Sequence, residues 1–342
     1  MRELIKVSLG KLFNARAYFL VEVIKGGFLM KRYYTVTGGA LLSSVLLLGA
    51  CESNNKPTAT TDTDDTINVV ATIAQIADPL EVIGGEHISV KALMGPGVDP
   101  HLYEATQSDI GMLQEADLIF YSGLHLEANM MDVFSNTSVP ALAVAEAIPS
   151  ADLLEDEEEE GAIDPHVWFD PELWTIALDA AVEELKSYAP EHAEEFEQNK
   201  VAYFAELETL HQESKDTLAT IPAEQRVLVT AHDAFQYFGR ANDLEVVALQ
   251  GLSTESEIGL SDVQSTIDII IEKEVPAVFI ETSINDSSIR SVIDGASNAG
   301  VEVELGGELY SDAMGEAGTE TGTYIGMYQH NVSTILEALS SE

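Results

Sequence analysis

The sequence predicts an α/β protein of two lobes, each a parallel-type sheet covered by helices, joined by one long rigid backbone helix. Two patterns and one length support this. Short apolar runs alternate with helical stretches after residue 66 and again after Pro222, as parallel strands covered on both faces do. Between the two series lies an amphipathic stretch of about 30 residues, a rod of roughly 45 Å at 1.5 Å rise per residue. The chain has 342 residues, 46% of them apolar, which suits two domains of ordinary size with cores of their own.

The N-terminal part has a different character. Residues 30–51 read MKRYYTVTGGALLSSVLLLGAC, with Lys31 and Arg32 at the head, an apolar run from Ala40 to Leu48 and small residues at the end. That is a signal-peptide layout, too short for a comfortable spanning helix. The end, Leu48-Gly49-Ala50-Cys51, looks like a bacterial lipobox, in which Cys51 is lipidated and becomes the new N-terminus. The plainer alternative is an anchor helix with a chance cysteine. Met30 heads a well-formed signal and residues 1–29 fit no part of one, so 1–29 is expected to be a mis-assigned upstream extension. Cys51 is the sole cysteine, which excludes an intrachain disulfide. Residues 51–66 then supply the lipidated cysteine and a polar, flexible tether.

The first lobe is expected over 67–189. INVVATI (67–73) and ISVKALM (88–94) read as strands, separated by a short helix over 74–85 that ends at Gly84-Gly85. Gly95-Pro96-Gly97 stops the second strand. SDIGMLQEA (108–116) is helical with Ser108 as its cap, and DLIFYSG (117–123) is a strand. The run EDEEEE (155–160) reads as a solvated acidic loop. Asp170-Pro171 opens a helix by the N-cap and first-position preferences, running to about Tyr188 and broken at Pro190. The linking helix follows within 190–221, with Phe196, Tyr203, Leu207 and Leu210 on one stripe. The second lobe, 222–342, repeats the alternation. Its strands are 226–231, 244–249, 276–282 and 301–305; its helices are 233–241, 260–274, 286–300 and 323–339.

Charge limits the partners. Asp and Glu number 59 against 16 Lys and Arg, for a net charge of −43, so nucleic acid and anionic membrane surfaces are excluded as partners of the folded part. A cation suits this surface, although most of the excess reads as acidity for solubility: four metal ligands do not need fifty carboxylates.

Asp-Pro-His occurs twice, in GVDPHLY around His101 and DPHVW around His166. Proline fixes its own φ and pushes the preceding residue to an extended conformation, so each histidine is presented from a stiff turn. Asp99 and Asp164 could each hold the imidazole as an acceptor and fix which nitrogen faces a metal. Asp-Pro is also an ordinary turn dipeptide. His232 directly follows the strand at 226–231, and ligands of open α/β sheets bind at the carboxyl ends of strands. His125 also follows a strand, so position alone does not exclude it. His87, His192, His211 and His330 read as solvated surface residues. The zincin, serine-hydrolase and phosphate-loop motifs are absent from the sequence.

The motifs LMGPGVDPHLYEAT, ADLIFYSGLHLE, DPHVWFDPELW, VLVTAHDAFQYFGRA, LQGLSTESE and GGELYSDAMGEAGTETGTYIGM are long and specific. Through them the chain resembles, over 67–339, the TroA-type solute-binding lipoproteins of bacterial zinc/manganese ABC importers. The resemblance implies two α/β lobes on one backbone helix with the metal between them. Carried over motif by motif, it implies His101, His166, His232 and Asp312 as metal ligands, two from each lobe. It implies Glu281, at a strand end, as a supporting residue behind them, and it does not include His125, where many members have glycine. The cargo would be Zn²⁺ or Mn²⁺, since three imidazoles and a carboxylate suit either. The partners would be a cognate ABC permease and its ATPase, with the monomeric receptor held through lipid on Cys51 at the outer side of the cytoplasmic membrane. The His-rich loop of many zinc importers is missing; EDEEEE stands in its place. A surface adhesin is a rival role. A zinc hydrolase is a weaker one, because catalytic zinc keeps an open position and four protein ligands close the site.

Overall fold

The computed structural model describes residues 66–155 and 161–340, together with the backbone of three strands near the N-terminus. The chain divides into two compact units, Met1–Asp62 and Thr63–Glu342. In the first unit, β1 (Lys6–Leu9), β2 (Arg16–Lys25) and β3 (Phe28–Thr37) form an antiparallel sheet in the order β1-β2-β3. The boundary expected at Met30 falls inside β3; the lipobox, Cys51 and most of the tether lie outside the described residues. Among the described residues, no helix is long and apolar enough to cross a membrane.

The second unit carries the βα alternation. β4 (Ile67–Ala71), β5 (Ile88–Ala92), β6 (Leu118–Tyr121) and β7 (Ala141–Ala143) form an all-parallel sheet in the order β5-β4-β6-β7. α1 (Ala74–Gly84), α2 (Gln107–Glu115) and α3 (Met131–Asn136) connect its strands. Both β7 and α3 are too short for hydrophobic period to reveal. The cap of α2 is Thr106, not the expected Ser108. Its hydroxyl accepts from the Asp109 N–H, and the Asp109 carboxylate answers with a bond from the Thr106 N–H. This is a reciprocal capping box with aspartate in the third position.

α4 (Pro171–Tyr188) starts as expected: the Asp170 carboxylate accepts from the N–H groups of Glu172 and Leu173 and also meets Arg240 Nη2 at 3.1 Å. α5 (Ala193–Leu218) is the long helix, 26 residues or about 39 Å. Its stripe of Phe196, Tyr203, Leu207 and Leu210 is buried, and it packs against α1, α4 and the final helix, α9 (Tyr324–Leu339). α5 therefore touches helices from both βα series.

Beyond it, β8 (Val227–His232) pairs in parallel with β9 (Glu245–Gln250), and β10 (Ala277–Glu281) with β11 (Glu304–Leu309). α6 (Gln236–Asn242), α7 (Leu260–Lys273) and α8 (Ser287–Asn298) link them. The last strand lies further on than the expected 301–305. It takes in Gly306 and Gly307, which weaken a strand pattern in sequence. Here the missing side chain is needed: a Cβ on Gly306 would stand 2.7 Å from the Phe279 ring and 2.8 Å from Ala338.

One apolar cluster runs from β4 through Trp168, Phe169 and Trp174 to Phe196 on α5, then to Phe235, Phe238, Tyr324 and Tyr328. A second cluster fills the space between β8, β10, α7 and α8. The first cluster is shared by both βα series, so they are not separate globules on a hinge. Replacing Asp170 with alanine removes the α4 cap and the Arg240 partner. It is expected to destabilise the metal-free protein by about 1–2 kcal/mol in chemical denaturation.

Candidate metal centre

Four buried side chains converge where the two βα series meet. His101 follows β5 on a long turn, and His166 precedes the one-turn 3-10 segment Val167–Phe169 that leads into α4. His232 is the last residue of β8, and Asp312 lies three residues beyond β11. Three of the four thus sit at or past the carboxyl ends of strands, where open α/β sheets place their ligands. Their ligand-capable atoms all lie within 4.8 Å of one another. His101 Nε2 stands 3.2 Å from His166 Nε2; Asp312 Oδ1 is 3.4 Å from His166 Nε2, and Oδ2 is 3.3 Å from His232 Nε2 and 3.9 Å from His101 Nε2.

Buried polar atoms are normally hydrogen-bonded. Among the described residues, His232 Nε2 and both Asp312 carboxylate oxygens have no hydrogen-bond partner. They contact one another only as ion-pair neighbours beyond good hydrogen-bond geometry. Three nitrogens and two oxygens, buried and facing one point, form the donor set of a borderline divalent ion.

The histidines are held by different means. His166 Nδ1 meets Asp164 Oδ1 at 2.8 Å, and the same oxygen accepts the His166 N–H at 2.9 Å. His232 Nδ1 meets Glu281 Oε2 at 2.6 Å. The other Glu281 oxygen accepts the N–H groups of Ala231 and His232, both at 2.9 Å, so the end of β10 grips the end of β8. These carboxylates leave Nε2 of each ring to face the centre. Asp99 behaves otherwise, although its local sequence matches that of Asp164. Its Oδ1 accepts the His101 N–H at 2.9 Å, but its Oδ2 accepts from the Thr254 hydroxyl at 2.6 Å instead of touching the ring. Among the described residues, no side chain hydrogen-bonds the Nδ1 of His101.

Charge follows from these partners. Burial opposes a proton on His166, but the bonded Asp164 and the nearby Asp312 outweigh it and lift the ring to about 9. Burial also works against a charge on His232, yet Glu281 and Asp312 raise it well above its ordinary value. Burial takes His101 down to about 3, with Asp312 pulling the other way. Asp312 is buried too, which favours its neutral form, but the three imidazoles hold it well below the carboxylate range. Without metal, the surroundings favour a proton on His166 and on His232 and the ionised form of Asp312. A divalent cation takes the place of those protons.

Several contacts were not readable in sequence. Gln75 on α1 is buried, and its Nε2 donates to the carbonyls of Ser311, at 3.3 Å, and Asp312, at 2.9 Å, which positions the Asp312 backbone. A glutamine inside an ordinary helix carries no mark of this. Thr254 lies within LQGLSTESE, whose sequence carries no local sign of its contact with Asp99. His125 is exposed, with φ +68°. That is a conformation glycine adopts freely, and the residue stands outside the cluster. His87 and His192 stack on each other at 3.8 Å between centroids, and His87 pairs with Glu195, so they are packed residues and not simply solvated ones.

Residues 69–338 match the family described as "ZnuA: Zinc-uptake complex component A periplasmic". The manganese-binding lipoprotein MntA of Bacillus subtilis is 47% identical over 302 residues, covering 88% of this chain and 97% of MntA. The zinc-binding protein TroA of Treponema pallidum is 47% identical over 274 residues, covering 80% and 88%. The solved structure of periplasmic zinc-binding TroA from T. pallidum superposes with a TM-score of 0.78 at 46% identity, covering 81% of this chain and all of TroA.

A histidine raised on folding contributes stability that is fully present below its unfolded value, near 6.5, and is lost as pH climbs through the folded value, about 9 for His166. Metal-free protein is therefore expected to lose stability across that window in thermal unfolding. Asp164→Asn, which removes the largest support for the His166 proton, is expected to flatten the loss.

Proposed function

We propose, from the premise that this chain belongs to the ZnuA family of metal-importer solute-binding components, that His101, His166, His232 and Asp312 capture one Zn²⁺ or Mn²⁺ outside the cytoplasm for delivery to an ABC permease. The first lobe, 67–189, supplies the two Asp-Pro-His histidines, and the second, 222–342, supplies His232 and Asp312, with 190–221 as the strut. Cys51 carries the lipid that tethers this monomeric receptor to the outer side of the cytoplasmic membrane. The observation that carries the reading is the convergence of four buried donors within 4.8 Å. Asp164 and Glu281 behind two of the rings support it, because they fix the tautomer a metal needs.

Ligand chemistry does not separate the two metals. Zinc binds more tightly than manganese to a given nitrogen–oxygen site, and the two relatives at 47% identity are named for different metals. Competition titration of purified protein with both ions, followed by elemental analysis, is expected to return one equivalent of metal. Alanine in place of His232 or Asp312 is expected to cost more than the about 10–100-fold typical of losing a supporting partner. Unchanged retention in both variants would overturn the assignment. The apolar core shared across both lobes and packed on α5 resists a wide hinge. Small-angle scattering is accordingly expected to show no large compaction on metal loading.

A further inference from the structure

The His166 turn and the His101 turn are fastened to the second lobe in different ways. The backbone around His166 is pinned by buried tyrosines of the second lobe. Tyr237 Oη donates to the Asp164 carbonyl at 3.1 Å, Tyr324 Oη to the Trp168 carbonyl at 2.6 Å and Tyr328 Oη to the Phe169 carbonyl at 3.2 Å. These rings belong to the shared core, so releasing this turn means opening packed aromatic contacts.

The His101 turn has a lighter fastening. Asp99 spans from the His101 N–H to the Thr254 hydroxyl, and Asn129 Nδ2 spans from the His101 carbonyl, at 2.9 Å, to Glu255 Oε1, at 3.3 Å. Both main-chain groups of His101 are therefore clamped by side chains that end on two consecutive residues of one second-lobe loop. That loop, between β9 and α7, exposes Glu255 and half-buries Thr254. Among the described residues, His101 is also the histidine with no carboxylate bonded to its Nδ1, so its aim depends on the backbone that this clamp holds.

We infer that Thr254, with Glu255, is a positioning latch that holds His101 in its ligating place across the cleft, and that metal release begins when this latch opens. The inference rests on the proposed ligand role of His101. Neither Thr254 nor Glu255 touches the ion; both act through the Asp99–His101–Asn129 backbone clamp. A loop joined to the turn by two side-chain bonds can part at a far smaller cost than the tyrosine-pinned His166 turn. The order of events follows: His101 leaves first, and His166, His232 and Asp312 keep the ion until it is handed on.

The test is Zn²⁺ dissociation from the loaded protein, timed with excess chelator. Thr254→Val keeps the side-chain shape and removes the donor; it is expected to speed release about tenfold while association changes less. Thr254→Ser restores the donor and is expected to restore the slow rate, which a merely structural role for the methyl group would not. In a His101→Ala background, Thr254→Val is expected to add nothing. Release from Thr254→Val at the unmodified rate, or an equal acceleration with and without His101, would overturn the latch. Zinc retention that His101→Ala leaves unchanged would instead overturn the ligand assignment on which it stands.

Discussion

The Asp312 carboxylate is the constraint on which the rest of the structure depends. It is buried, its oxygens lack hydrogen bonds among the described residues, and it sits 3.3–3.9 Å from three imidazole nitrogens. A buried carboxylate is costly unless positive charge neutralises it. Nearby rings can answer with protons or yield to a divalent cation; either settles the charge, and only the cation uses all four side chains together. Much of the surrounding architecture keeps this arrangement from relaxing. Gln75 holds the Asp312 backbone, Glu281 holds His232 and β8 at once, and Asp164 holds both the ring and the amide of His166.

Such a set must be held stiffly by elements far apart in sequence. The answer is a scaffold of two lobes that share one apolar core. α5 lies against helices of both βα series, and one apolar cluster includes residues of both. A continuous close-packed core moves in small steps. Selective weakness then has to be local, and the contrast between the tyrosine-pinned and the latched turn supplies it.

The βα alternation, the long helix and the Asp170-Pro171 start were legible because period, capping and proline geometry act within a few residues. The three histidines stood out from their turns and strand end, but Asp312 and the convergence of all four were legible only through the resemblance, since separations of 65 residues or more carry no local signal of contact. Where local reasoning reached past its range, the structure differs. The two Asp-Pro-His turns read alike, yet Asp164 backs its ring while Asp99 reaches across to Thr254, a hydroxyl of the other lobe that has no counterpart beside the Asp164 carboxylate among the described residues. The last strand shifted towards its glycines because close approach of Phe279 and Ala338 rewards the absence of a side chain, which no strand propensity records. The contacts of Gln75 and the tyrosine hydroxyls are tertiary throughout.

With 59 acidic residues in the chain, a metal-loaded sample could hold its ion on surface oxygens alone. X-ray absorption at the zinc edge separates the two cases directly. For protein loaded with one equivalent of zinc, a shell of three imidazole nitrogens and one carboxylate oxygen is expected, with zinc–nitrogen distances of about 2.0–2.1 Å. A shell of oxygens without imidazole scattering would contradict it.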